Sequence, residues 1–227
     1  MITVSTSTAS VGKPSYHHGD LQAAVLVAGL EMLERRRSDE LSLREIARAV
    51  GVSATALYRH FPDKNALLGA LATEGFNRLG AAQAHAQTLG GPGPAGFKAA
   101  GRAYVDFARA NPALFRLMFS HAPHADKFQT EAPNAGSPMA LLRNNAAAFA
   151  DPKGGPNAQT VFCARAWALV HGLATLLLDR QLELDDALID AVLAERPMAA
   201  TGAAEACSLP STVPTRRSTK PSRARGG

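Results

Sequence analysis

Tyr58, Arg59 and His60 stand side by side in the stretch SLREIARAVGVSATALYRHF, residues 42–61, with Arg44 ahead of them and Lys64 close behind. A phenol, two guanidiniums, an imidazole and an ammonium within one short span suit a polyanion. A tyrosine can give its hydroxyl to a phosphate or its ring to a thymine methyl, and an arginine can fork onto guanine O6 and N7 or grip a phosphate. Ala54 and Thr55, small residues just before them, would let the backbone come close to base edges.

Such side chains work only if something holds them in place, and the pattern around them is helical. Leu43, Ile46, Ala47 and Val50 follow the i, i+3, i+4, i+7 rhythm of one helix face. Ser42-Leu43-Arg44-Glu45 in front of them predicts a capping box. Gly51 supplies the open conformation that ends this helix, and Ser53 can cap another over Ala54 to about His60 with Leu57 and Phe61 facing inward. Pro62-Asp63 breaks that helix and opens a fourth, with Leu68, Leu71, Ala72, Gly75 and Leu79 on one stripe to about Gln87. At its start Lys64 would add to a helix terminus that already attracts phosphate. An earlier helix starts at Gly19-Asp20 and closes at Arg35-Arg36-Arg37. Two short helices joined through a glycine form a helix-turn-helix, in which the first braces the second and the second enters a major groove.

Composition agrees with an all-α fold: alanine and leucine dominate, and 46% of the 227 residues are hydrophobic with few aromatics. The net charge of +5 is weak evidence by itself. Residues 197–227 hold five of the 24 Lys and Arg but one of the 19 Asp and Glu, so the remainder is nearly neutral. Cys163 and Cys207 form no disulfide framework. The first twenty residues show no export pattern, which places the protein in the cytoplasm by expectation.

These residues resemble a known family. HHGDL before a helix, followed by SLREIARAVGVSATALYRHFPDKNALL, is similar to the DNA-binding domain of TetR-type transcriptional regulators over residues 18 to about 79. The resemblance implies that Ser42, Arg44, Ser53, Ala54, Thr55, Tyr58, Arg59, His60 and Lys64 meet DNA. Ala56 stands where some members carry a phosphate-binding threonine. Residues 1–17 would be a flexible arm, with Lys13 and His17-His18 near its end. The partners implied are a double-stranded operator and a second copy of the chain.

LGGPGPAG, residues 89–96, interrupts the periodicity and marks the change to a second half, taken as residues 80–196. Helices are expected over Phe97–Ala110, in LFRLMF, over 138–149, from about Asn157 to Glu183, and over 185–195. WALVHGLATLLL resembles the Trp-x-x-x-His-Gly signature of one TetR C-terminal subclass, through Trp167, His171 and Gly172. This half would dimerise and hold a small, largely apolar effector. A pocket can be drawn from Tyr104, Phe107, Phe115, Met118, Phe119, Cys163, Trp167 and His171, although Trp167 and His171 read first as a core aromatic and a buried histidine satisfied by a backbone carbonyl. The apolar run 161–178 is long enough for a marginal membrane span. Arg165 and His171 inside it favour a helix packed between partners, so no membrane is expected.

Rival functions stay open. No Gly-x-Ser-x-Gly, Walker loop or Cys-x-x-Cys is present, and the glycines near 90 are broken by prolines, so neither a catalytic set nor a cofactor is expected. His121, His124 and Asp126 are too loosely spaced to predict a metal site. A small-molecule-converting enzyme and an effector-independent DNA-binding protein are the alternatives. Residues 197–227 read as a disordered basic tail.

Overall fold

A computed structural model describes residues 18–121 and 136–194, which are all-helical. In chain order these are α1 (His18–Leu33), a 3-10 turn (Ser38–Glu40), α2 (Leu43–Ala49), α3 (Ala54–His60), α4 (Lys64–Gly90), α5 (Pro94–Ala110), α6 (Pro112–Ser120), α7 (Pro138–Phe149), α8 (Ala158–Leu178) and α9 (Asp186–Ala194). The arm, the 197–227 tail, Cys207, His124 and Asp126 lie outside the described residues.

α1, α2 and α3 close over a core that includes Val25, Leu33, Leu43, Ile46, Leu57 and Phe61, all buried, with Leu67 and Leu71 of α4 beneath it. A Cβ at Gly29 would come within 3.0 Å of the Leu71 side chain, so glycine lets α1 cross α4 closely. The same buried cluster continues along α4 to Leu79 and onto Leu114, Phe115 and Met118 of α6 and Tyr104 of α5. α4 therefore carries the chain past residue 79 without a break, and its inner stripe serves both halves.

Where α4 meets α5, LGGPGPAG is a tight corner and not a loop. Gly91 and Gly93 take positive φ, Pro94 occupies the first turn of α5, and a Cβ at Gly96 would lie 2.0 Å from the Gly91 carbonyl oxygen. The helices on either side each run three residues further into the corner than the periodicity suggests.

The turn between α2 and α3 is built on Gly51 at φ 73°. Val52 N–H donates to Ala47 O at 2.9 Å and Gly51 N–H to Arg48 O at 3.2 Å, the paired bonds of a Schellman cap. The same motif ends α8 at Leu178, five residues before the expected Glu183: Gln181 N–H reaches Leu176 O at 2.9 Å and Arg180 N–H reaches Leu177 O at 3.2 Å, with Arg180 at φ 53°. Arginine is an unusual residue for that left-handed position, so no glycine marked the stop.

One sequence expectation fails at α2. Ser42 is the N-cap but its side chain makes no cap hydrogen bond. Glu45 turns outward instead and pairs with Arg36 at 2.7 Å, so an ion pair has replaced the reciprocal capping box.

α9 is held on α5 by charge as well as by Ile189, which is buried with Val105 and Leu173. Arg102 reaches Asp186 at 2.8 Å and Asp190 at 3.0 Å, and Arg109 reaches Asp186 at 2.8 Å. Hydrogen bonding from Arg109 and the charge of Arg102 hold the Asp186 carboxyl below its ordinary range. A depressed folded-state value means that the stabilisation is full above the usual aspartate range and is lost as the pH falls through the lowered value. Amide exchange in α9, corrected for intrinsic rates, should therefore accelerate on acidification, and Asp186→Asn should flatten that dependence.

Candidate nucleic-acid interface and C-terminal aromatic cluster

α3 owes its outward face to what lies behind it. Leu57 and Phe61 are buried, whereas Thr55, Tyr58 and Arg59 are exposed, with Tyr58 at 42% although it is aromatic. Ser53 caps the helix by accepting from Ala56 N–H at 3.2 Å, and Asp63 caps α4 by accepting from Ala66 N–H at 2.7 Å. Replacing Ser53 with alanine should cost about 1 kcal/mol of stability, readable as a lower denaturant midpoint with an unchanged slope.

Arg44 and Arg48 are exposed on α2, and among the described residues no carboxylate pairs with them or with Arg59. Ser42, Ala54 and His60 are half-buried at the rims of the same surface. Lys64 is also half-buried, and its Nζ donates to the Asp39 carbonyl, so it ties α4 to the turn before α2. Arg48 on this face went unnoticed in the sequence, though its place one helical turn beyond Arg44 was the available signal.

The C-terminal residues divide. Tyr104, Phe115, Phe119, Trp167 and His171 come together: Phe115–Phe119 centroids are 4.9 Å apart, Phe119–His171 4.3 Å and Trp167–His171 6.1 Å. His171 Nδ1 lies 2.9 Å from the Tyr104 hydroxyl, which gives the half-buried ring a side-chain partner. Burial pushes the Tyr104 phenol well above its ordinary value, against a hydrogen bond from Trp167.

Met118 is fully buried beneath α4, where a Cβ at Gly75 would come within 2.7 Å of it. Phe107 is half-buried against the main core. Cys163 sits apart, its thiol 3.9 Å from the Leu142 carbonyl of α7, with its pKa raised by burial and lowered by Arg143. Phe76 was missed and joins the cluster edge-on to Phe119 at 5.4 Å. Gln83, Gln87 and Asn145 were missed as well. Gln83 is the next residue on the stripe Leu71, Gly75, Leu79, a polar side chain where the pattern calls for an apolar one.

A three-helix unit with a Schellman turn, a short capped helix and an exposed Thr55, Tyr58 and Arg59 defines a helix-turn-helix protein. Residues 25–71 match the family described as bacterial regulatory proteins, tetR family, and residues 97–200 match that described as tetracyclin repressor-like, C-terminal domain. Among solved structures, a Rhodococcus sp. RHA1 protein of unknown function is 38% identical, covering 80% of this chain and 93% of its own, with a TM-score of 0.61. A tetR-family transcriptional regulator from Streptomyces coelicolor shares the fold at 21% identity, 78% and 79% coverage and a TM-score of 0.56. One from Marinobacter aquaeolei VT8 does so at 20% identity, 76% and 93% coverage and 0.55. No curated protein sequence matches at a significant level. The chain belongs to the TetR family of transcriptional regulators.

Proposed function

We propose that the chain binds a two-fold related DNA operator as a homodimer and represses transcription until a small, largely apolar effector releases it. Residues 18–79 read the operator through Arg44, Thr55, Tyr58 and Arg59, with Ala54 allowing close approach and Ser42, Ser53, His60 and Lys64 at the margins. Residues 80–196 dimerise and receive the effector beside Tyr104, Phe119, Trp167 and His171. We assign this half to the Trp-x-x-x-His-Gly subclass on the strength of Trp167, His171 and Gly172.

The observation that carries the reading is the exposed aromatic and basic face of α3 over a fully buried Leu57. α8 supports the dimer. It is long and apolar enough to cross a membrane by length and composition, with a mean hydropathy of 1.7, yet it packs on α5 and α7 with only 28% of that window buried. Val161 and Leu176 lie exposed along it, an apolar flank that a second copy would cover. α4 begins behind α3 and ends among α5 and α7, so an effector that prefers one placement of α4 would shift the population of DNA-competent dimers by its difference in affinity.

The test is binding to DNA upstream of the coding region against random duplex, with a metabolite library followed by melting temperature and DNA release together. Compounds that raise the melting temperature and weaken operator binding support the reading. Equal affinity for random duplex contradicts it, and turnover of a compound without any change in DNA affinity favours the enzyme.

A further inference from the structure

Gln83 is buried at 8% exposure, and its amide is half used. Nε2 donates to the Ala100 carbonyl at 3.2 Å, while Oε1 is enclosed with no donor. The orientation is fixed, because turning the amide over would set its oxygen against the carbonyl. Farther along α4, Gln87 and Asn145 bond to each other at 3.3 and 3.0 Å, and neither amide reaches Gln83 Oε1.

Its location gives the orphan acceptor a meaning. The Ala100 carbonyl is the one that the Tyr104 backbone N–H closes in α5, so the Gln83 amide stands within a helical turn of Tyr104, whose hydroxyl meets His171. On α4 itself, Phe76 lies two turns before Gln83 and touches Phe119. The aromatic cluster and the buried acceptor thus share α4, through Phe76, and α5, through Tyr104 and Ala100.

We infer that Gln83 Oε1 selects the effector, accepting a hydrogen bond from a hydroxyl or N–H at one end of a molecule whose aromatic or apolar body lies against Tyr104, Phe119 and Trp167. This rests on the proposed effector-binding role of the C-terminal half. Buried acceptors are satisfied in the great majority of cases, and a site built to hydrogen-bond a donor rejects the analogue that lacks it.

Calorimetric titration of the full chain, without DNA, tests it with three probes of one shape: 4-hydroxybiphenyl, 4-methylbiphenyl and 4-methoxybiphenyl. The hydroxyl compound should bind about tenfold or more tightly than either of the others. Gln83→Met, close in volume and lacking the oxygen, should bring the preference to within about twofold. Equal binding of all three probes, no binding of any, or a preference that survives in Gln83→Met overturns the inference. Equal binding is also the result expected if a resident water satisfies the oxygen. Should Gln83→Met not fold, the methoxy compound decides: binding as weak as the methyl analogue supports a donor requirement, and binding as tight as the hydroxyl compound refutes it. Because DNA is absent, a failure here leaves operator binding to its own assay, and a failure there leaves this result standing.

Discussion

Changing Tyr58 and Arg59 together to alanine should lower operator affinity by about 100-fold or more while leaving the fold intact. Each good side-chain contact to a base or phosphate carries about 1–3 kcal/mol of affinity or discrimination, and a two-fold related dimer places the pair at both half-sites. Neither side chain supports the core: Tyr58 is 42% exposed and Arg59 is exposed, while the packing behind them comes from Leu57 and Phe61. Circular dichroism should show an unchanged helix content and a melting temperature within a few degrees of the parent. An affinity change of less than about threefold would remove α3 from the DNA surface.

Gly172→Leu should separate dimerisation from folding. Nothing within 4 Å would meet a Cβ at Gly172, and glycine is the poorest helix former apart from proline, so leucine there should stabilise the isolated chain by up to about 1 kcal/mol. The same side chain projects from α8 between the exposed Val161 and Leu176, onto the flank that a second copy would cover. Dimer association should weaken by about 100-fold, overpacking of a close helix contact costing about 1–3 kcal/mol in each copy. Operator affinity should fall with it, because one short recognition helix makes too few contacts alone. Sedimentation velocity across a concentration series reads the first effect, and a Gly172→Leu chain that dimerises like its parent would place the interface elsewhere.

The helix-turn-helix was legible because its signals are local. Gly51 needs its left-handed φ, Ser53 its cap, and Leu57 and Phe61 their inward spacing, and each constrains the chain within a few residues. The capping box at Ser42 failed for the opposite reason: Glu45 had a competing partner in Arg36, nine residues away, which no local rule weighs.

Arg180 shows a related limit, since a Schellman stop at an arginine carries no compositional mark. The aromatic cluster was half visible, through the i, i+4 spacing of Trp167 and His171. Tyr104, Phe115 and Phe119 were legible too, as aromatics on the helices expected around α8, whereas the addition of Phe76 depends on how α4 packs on α6, which periodicity does not encode. Cys163 faces α7 for the same reason. Gln83 was legible in principle, as the polar interruption of an apolar stripe, but its unmet acceptor exists only in three dimensions.

The central claim, two recognition helices reading one duplex, is tested most directly by hydroxyl-radical footprinting of the full chain on DNA upstream of its coding region. The account predicts two protected patches related by a two-fold axis and separated by about one helical turn or somewhat more, both absent with the Tyr58→Ala, Arg59→Ala chain. A single patch, or protection no stronger than on random duplex, would contradict it.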